Sequence, residues 1–203
     1  MSLTNIGLVA FVKTKLGTPY VYGMKGTVMT QANFNYLQER YGVRNVWNSD
    51  EKKVGKVCVD CSGLISWYTG KLKGSSQFKA ESDAQPITTI ASAPIGAAVW
   101  RQGHIGVYIG NGEVIEARGS AYGTVRTKAK DRDFTHWFLL RDIEYIEGDE
   151  EMITREKIIV NGKECEVDMI RKDGTTYIKT RDIAEVLGLK VGSKGKVPVI
   201  DTK

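Results

Sequence analysis

The chain has 203 residues, 41% of them hydrophobic, which is enough to bury the core of one full domain with a smaller module beside it. No stretch approaches the roughly 18 to 20 uninterrupted apolar residues that a membrane-spanning helix needs, so no membrane span is expected. The net charge of +5 favours polyanions in general, including nucleic acid, anionic lipid headgroups and the phosphate-rich polymers of a Gram-positive wall, and charge alone does not choose among them. Lysine and arginine alternate with acidic residues and form no dense basic stripe, so nucleic acid is not expected as a partner.

The cysteines and the start of the chain predict where the protein is made. Three cysteines, Cys58, Cys61 and Cys165, are an odd number and do not predict the disulfide framework of a small secreted domain. The first residues have no basic leader before their apolar run and no small-residue cleavage site. We therefore expect synthesis in the cytoplasm without a signal peptide, with another route of release for any work outside the cell.

Two helices are predicted before residue 43. The first has apolar residues at helical spacing, Thr4 or Asn5 as N-cap and Gly17 just past its end. The second is TQANFNYLQERYG, in which Phe34, Leu37 and Tyr41 share a face. A short β-prone piece, GTPYVYG, lies between them.

A third helix and a sheet are predicted downstream. The helix begins immediately after Cys61 and buries a face formed by Leu64, Ile65, Tyr68 and Leu72. Four segments rich in β-branched and aromatic residues then predict antiparallel strands: AAVW, HIGVYIG, EVIEA and HWFLLRDIEYI. Helices followed by an antiparallel sheet are typical of the α+β class.

The acidic run EGDEEMITRE is the predicted linker, with a boundary near Glu150. The predicted organisation is a domain over 1–147, a linker over 148–155 and a module over 156–203. The module contains two strands around an Asn-Gly turn, a further turn and strand, and a short helix capped by Gly188. A second, smaller β-rich α+β module accounts for this pattern.

Cys61 is the candidate nucleophile. A cysteine nucleophile acts as a thiolate, and a helix N-terminus lowers a thiol pKa through its partial positive charge and free N–H groups. The same N–H groups could stabilise the oxyanion that forms when the thiolate attacks a carbonyl. The position of Cys61 at the start of the predicted helix therefore suits both roles.

The candidate base is His104, because the chain has only one other histidine, His136. His104 opens the strand HIGVYIG, which would hold the imidazole rigidly, whereas His136 lies in a polar stretch. A structural or surface role is the alternative for His104.

Glu116 is the candidate for orienting the imidazole. If Gly110, Asn111 and Gly112 form a three-residue hairpin loop, Glu116 falls opposite Gly106 on the same face as His104. A two-residue Asn-Gly turn would shift the register by one residue and send Glu116 to the other face. A solvated strand carboxylate is the alternative.

The words DCSGLI and GHIGVYIGNG together resemble the active-site signature of the NlpC-type cell-wall cysteine peptidases, which are relatives of papain. The resemblance covers 1–147 and implies a papain-like domain with N-terminal helices packed on an antiparallel sheet. It also implies hydrolysis of peptidoglycan stem peptides, typically between D-glutamate and a diamino acid, through a thioester on Cys61 and without a cofactor. Tyr20, Asp60 and Ser62 match the family's substrate-binding positions, although a core aromatic and ordinary helix caps remain the alternatives.

The sequence departs from the family pattern in two places. Glu116 stands where the family most often has histidine. The chain between Tyr20 and Cys61 is longer than usual, and the insertion 24–57 forms either a wall or lid over the cleft or a surface embellishment. Cys58 and Cys61 also form a CxxC motif. A zinc site would need a second pair of ligands, which the sequence does not provide, so no metal is expected. A further hypothesis is that Cys58 forms a disulfide with Cys61 and thereby inactivates the enzyme.

The segment from Lys157 to Ile200 resembles the small domain named after the N-terminal part of copper amine oxidases, although the module has little capacity to bind copper. It is interpreted as a wall-binding or dimerising appendage, or as a structural extension. The whole chain is therefore expected to be a phage-type lysin that acts at the bacterial cell wall after release. The alternatives are an amidase or acyl transferase on the same scaffold, or a non-catalytic wall-binding or tail protein.

Overall fold

A computed structural model describes residues 3–146, 154–172, 175–195 and 197–202. The chain divides into two compact units, residues 1–146 and 147–203. In the first unit the helices are α1 Asn5–Thr14, α2 Gln31–Tyr41, α3 Cys61–Thr69 and α4 Ser75–Ala80, with 3₁₀ turns at Asn48–Lys53, Ile87–Ser92 and Ala129–Asp131. Its strands are β1 Lys25–Val28, β2 Val57–Val59, β3 Gln85–Pro86, β4 Ala98–Arg101, β5 His104–Gly110, β6 Glu113–Gly119, β7 Gly123–Lys128 and β8 His136–Phe138.

The predicted helices are present. Side-chain caps explain where two of them begin, and a glycine explains where the third ends. The Thr4 hydroxyl accepts a hydrogen bond from the third residue of α1, and Thr30 caps α2 in a capping box. Helix α3 ends where Gly70 adopts a left-handed conformation with φ of 69°. Leu72 was expected on the buried face of this helix, but it lies beyond that stop and is 76% exposed.

The main sheet has six antiparallel strands in the order β3-β8-β4-β5-β6-β7. Strand β7 was not predicted, because its sequence GTVRTK has little apolar content. HWFLLRDIEYI was predicted as one strand, but only His136–Phe138 pairs in the sheet. The remaining apolar residues, such as Leu140 and Ile143, are instead buried in the same core as α1.

The two faces of the sheet carry separate cores. Helices α1 and α3 pack against β5 on one face, where Leu64 and Ile65 meet Ile105 and Val107. The other face is covered by a smaller cluster around Tyr108 and Phe134. The first unit is therefore α+β, as predicted, and the start of α3 lies at the end of the sheet where β5 begins.

The second unit contains β9 Thr154–Val160, β10 Lys163–Lys172, β11 Thr175–Ile178, α5 Thr180–Val186, β12 Leu189–Lys194 and β13 Val197–Thr202. Its sheets have the orders β11-β10-β9 and β12-β13. The predicted Asn161-Gly162 turn joins β9 to β10, both residues having positive φ. Strand β9 begins at Thr154, inside the predicted linker, while 148–153 and the predicted turn at 173–174 lie outside the described residues.

Within the described part of the chain, no helix combines the length and the apolar character needed to cross a membrane.

Candidate active site

Cys61 is the first residue of α3 and is 7% exposed. The helix begins there because Asp60 Oδ1 accepts the Gly63 N–H at 2.6 Å as an N-cap. The Cys61 thiol donates weakly to the Gly103 carbonyl at 4.0 Å, and its sulfur accepts the backbone N–H of Ile105. These two residues flank His104 in the chain, so the fold brings the candidate nucleophile to the start of the strand that carries the candidate base.

The Cys61 thiol is held in its protonated form, contrary to the expectation from its helix position. Burial raises its pKa to about 12, and the neighbouring Asp60 carboxylate adds to this effect. The N–H groups of Ile105 and Ser62 and the charge of Lys25 lower the pKa, but by less. In this structure, desolvation therefore outweighs the helix N-terminus.

His104 lies at the first position of β5 and is 5% exposed. Its Nε2 atom is 2.5 Å from Glu116 Oε2, and its ring stacks on Phe134 with centroids 6.0 Å apart. An ionised carboxylate only accepts hydrogen bonds, so Nε2 carries the hydrogen in the neutral imidazole. The Nδ1 atom is then left with a lone pair that can accept a proton.

The β5–β6 hairpin combines features of both registers considered for Glu116. Asn111 and Gly112, with φ of 51° and 72°, form a two-residue turn closed by the Gly110–Glu113 pair. An irregularity between Tyr108 and Gly110 then restores the Val107–Ile115 register of a three-residue loop. Glu116 consequently lies on the face of His104.

The Glu116 carboxylate is fully buried and has partners beyond His104. Thr127 donates to Oε1 at 2.7 Å, while Arg132 donates to Oε1 at 2.7 Å and to Oε2 at 3.1 Å. Burial by itself would raise the Glu116 pKa, but the hydrogen bonds from His104, Arg132 and Thr127 lower it to about 2. Arg132 and Thr127 were not predicted from the sequence. Thr127 could have been predicted if GTVRTK had been recognised as a strand that pairs with EVIEA.

Asp60 and Ser62 form a small polar cluster with Lys25. The Lys25 ammonium donates to both Asp60 oxygens at 2.8 and 2.9 Å and to Ser62 Oγ at 2.6 Å. Asp60 Oδ2 also accepts the Gly23 N–H at 3.0 Å. Asp60 is thus a helix cap that also anchors the segment around Gly23, and its match to a substrate-binding position stays a prediction. Lys25 was not identified from the sequence.

Tyr20 is packed beside the candidate nucleophile. It forms a parallel bridge with Val59 and is 9% exposed, within the core that also contains Cys61. Burial is the main cause that raises the pKa of its phenol well above the usual range. The phenol therefore stays neutral. Tyr20 is a core residue and also lies in the same cluster as Cys61.

A groove of about 550 Å³ opens at Cys61. Tyr22, Lys25 and Tyr41 form part of its lining, and the segment 72–77 forms another part. His104 is not among the lining residues, whereas Gly103 is. Cys61 is therefore the member of the candidate pair that the groove reaches directly.

The insertion 24–57 contributes a wall to this groove through Lys25 and Tyr41 and has a core of its own around Met29, Phe34 and Leu37. It is therefore more than a surface embellishment.

A buried ion pair attaches the insertion to the remainder of the unit. Lys53 Nζ donates to Asp50 at 2.6 Å, to the Tyr20 carbonyl at 2.8 Å and to the Ser120 carbonyl at 2.9 Å. Asp50 also accepts the Ser120 hydroxyl at 3.0 Å. These contacts tie the insertion both to the segment beside Cys61 and to the turn after β6.

The other sequence candidates lie apart from this arrangement. Cys58 is buried in the core of the insertion, where its thiol contacts the Lys56 carbonyl at 3.5 Å. Cys61 belongs to the other core, both thiols are free in this structure, and the inactivating disulfide stays a hypothesis. His136 is paired with Thr135 at 2.9 Å. In the described segments no group of three or more His, Cys, Asp or Glu residues is arranged to hold a metal ion.

No family model matches the chain, and no curated protein matches it. Among solved structures the chain is similar to the P60 domain of an antigen from M. avium subspecies paratuberculosis, at 24% identity and a TM-score of 0.44, covering 70% of this chain and 98% of that one. It is also similar to the peptidoglycan hydrolase RipB from Mycobacterium tuberculosis, at 23% identity and a TM-score of 0.45, covering 70% and 67%.

A third similar structure is NlpC1 from Trichomonas vaginalis, at 19% identity and a TM-score of 0.44, covering 66% of this chain and 42% of that one. The chain spans less than half of the length of the two Trichomonas proteins that it matches, NlpC1 and NlpC2. The names of these structures include NlpC, P60 and peptidoglycan hydrolase.

Proposed function

We propose that the chain is a cysteine peptidase that uses Cys61 as nucleophile, His104 as base and Glu116 to orient the imidazole. The observation that supports this most strongly is the arrangement at the start of α3. Cys61 contacts both chain neighbours of His104, while Nε2 of His104 is bonded to the buried Glu116. A nucleophile, a base and a group that orients the base are the parts that acyl transfer through a covalent intermediate requires.

The reaction proceeds through a thioester. Nδ1 of His104 accepts the Cys61 proton as the sulfur attacks the carbonyl carbon, and the backbone N–H of Cys61 at the start of α3 stabilises the resulting oxyanion. The C–N bond breaks, and the imidazolium returns the proton to the leaving amine. Water, deprotonated by His104, then attacks the thioester, releasing a carboxylic acid and restoring the thiol.

The raised pKa of Cys61 determines when the proton moves. At neutral pH the resting group is a thiol rather than a thiolate, since burial disfavours the charged form. Proton transfer to His104 therefore accompanies nucleophilic attack and does not precede substrate binding. His104 acts as a general base in the first step.

We infer that the substrate is a peptidoglycan stem peptide, cut between D-glutamate and a diamino acid. The combined signature DCSGLI and GHIGVYIGNG supports this substrate class. The groove at Cys61 supports it too, because about 550 Å³ accommodates several residues of an extended peptide. Asp60 and Ser62 line this groove next to the nucleophile, where both bind Lys25, while Tyr20 packs in the core that also contains Cys61.

A phage-type lysin is the biological setting that we propose, with the second unit as a wall-binding or dimerising module. The net charge of +5 supports contact with anionic wall polymers, which would concentrate the enzyme at its substrate.

Digestion of purified peptidoglycan by the full chain, followed by mass analysis of the soluble fragments, tests the bond assignment. New D-glutamyl carboxyl ends with free amino groups on the diamino acid are expected. Free lactyl groups on the sugars would mean an amidase instead, and newly joined stem peptides would mean a transferase. Absence of any new end at enzyme levels that clear the wall would overturn the peptidase proposal.

A further inference from the structure

Arg132 makes the closest charged contact to the carboxylate that binds His104. It follows the 3₁₀ turn Ala129–Asp131, and its side chain is 14% exposed. Its Nε and Nη2 atoms bind the two different oxygens of Glu116, at 2.7 and 3.1 Å. Such a two-point contact from a planar guanidinium fixes the plane of the carboxylate as well as its position.

The way these hydrogen bonds are divided between the two carboxylate oxygens determines which oxygen binds His104. Oε1 is occupied by Arg132 and Thr127, whereas Oε2 receives Arg132 and Nε2 of His104. Arg132 therefore holds the carboxylate in the orientation in which Oε2 meets the imidazole. It also places a positive charge next to the negative charge that His104 faces.

Other ionisable groups around this pair in the described structure are the Cys61 thiol, the Asp60–Lys25 ion pair beside that thiol, and the Arg101–Asp133 ion pair at 3.0 Å. Asp133 and Tyr122 also act on the charge of Arg132. Arg101 lies opposite His104 in the register of strands β4 and β5, and the Asp133 carboxylate offsets the positive charge of Arg101. The thiol is neutral at rest. The permanent charges that act most directly on the imidazole are consequently those of Glu116 and Arg132.

We propose that Arg132 is a positioning residue that opposes protonation of the His104–Glu116 pair and so keeps the imidazole available as a base. A buried carboxylate without a counter-charge would bind an imidazolium tightly. A neighbouring positive charge opposes protonation of the pair, whichever member carries the proton. The catalytic meaning of this inference rests on the proposed function, but the electrostatic effect can be measured without a substrate.

The test is titration of the histidine rings by NMR in the full chain. The chain has only two histidines, so a His136→Gln variant assigns the two sets of signals. In Arg132→Met we expect the midpoint of the His104 titration to rise by about one pH unit or more, since one nearby positive charge is lost. Arg132→Lys retains the charge and should keep the midpoint near that of the wild type, despite losing the two-point contact.

Arg126→Met is the matched control. Arg126 lies on the neighbouring strand β7 and pairs with Glu113 in an exposed position, so the variant removes the same charge without touching Glu116. We expect no change in the His104 midpoint. Arg132→Gln, which keeps a hydrogen-bond donor, replaces Arg132→Met if that variant fails to fold, and the same upward shift is expected.

A His104 midpoint that stays constant or falls in folded Arg132→Met or Arg132→Gln would overturn the proposal. So would an equal upward shift in Arg132→Lys, because the effect would then not depend on charge. The acid limb of the pH profile of kcat/KM, measured on a soluble stem peptide, should move in the same direction as the NMR midpoint. A shift seen by NMR in a chain that cuts no stem peptide would refute the proposed function and leave the role of Arg132 intact.

Discussion

Glu116 is the residue at which the chemistry of the site departs most from the expected pattern, because a charged carboxylate replaces histidine. It is fully buried, and three side chains donate hydrogen bonds to it. In Glu116→Gln the shape remains, but the charge that stabilises the imidazolium is lost and Arg132 is left without its counter-charge. We expect kcat/KM to fall on the order of 10- to 100-fold, mainly through kcat, which corresponds to one hydrogen bond to a charged group.

Steady-state kinetics on a soluble stem peptide measures this effect. The control is Glu113→Gln, which makes the same substitution at the partly exposed first position of the same strand. Equal losses in the two variants would contradict the assigned role of Glu116.

The Cys61 thiol allows a second prediction at the same scale. Its pKa is raised to about 12, so the thiolate fraction should increase about tenfold per pH unit from pH 7 upward. The rate of alkylation of Cys61 by iodoacetamide, followed by site-resolved mass spectrometry, should rise over this whole range up to at least pH 10. A plateau below pH 9 would indicate a thiolate that is already formed in the resting enzyme.

The β5–β6 hairpin is the element that decides whether His104 and Glu116 meet. Gly106 is required at the closest approach of the two strands, since a Cβ there would lie 2.8 Å from Val114 Cγ1 and 3.1 Å from Glu116 Cβ. Gly106→Ala should therefore push β6 away at the level of Glu116 and cost about 1–3 kcal/mol in the free energy of unfolding. Activity should fall further than the loss of folded protein explains.

Chemical denaturation together with the activity assay checks this prediction. Gly192→Ala, where an added Cβ meets nothing within 4 Å, is the control and should change neither quantity. Unchanged activity in a folded Gly106→Ala variant would show that the spacing of the hairpin is not critical.

The same hairpin shows what sequence reasoning can and cannot predict. The positions of Cys61 at a helix start and of His104 at a strand start could be predicted because helix caps and strand punctuation are local signals that the structure follows. The bulge near Ile109 was not predicted, because it restores a register that depends on burying one face of β6. Arg132 lies outside any regular element, and its role arises only from the three-dimensional proximity of β6, so its sequence neighbourhood gave no indication.

At the scale of the whole molecule, the first unit has the features of an independent folding domain. Its three hydrophobic clusters lie entirely within residues 3–146. A fragment of residues 1–146 should therefore unfold cooperatively, and its kcat/KM on a soluble stem peptide should stay within about twofold of that of the full chain. Loss of binding to intact wall by this fragment would support an anchoring role for the second unit.

Calorimetry and the peptide assay test the fragment. An unfolded fragment would contradict the division of the chain at residue 146.

The central claim is that Cys61 carries the acyl group during cleavage of the cell wall. The most direct test is the rate at which the full chain clears purified wall, compared between wild type, Cys61→Ala and Cys165→Ala, with circular dichroism to establish that each is folded. Cys165 is the matched control because its thiol lies in the second unit against the Ile158 carbonyl. We predict a loss of about 1,000-fold or more for Cys61→Ala and no loss for Cys165→Ala. Clearance by folded Cys61→Ala at the wild-type rate would contradict the account.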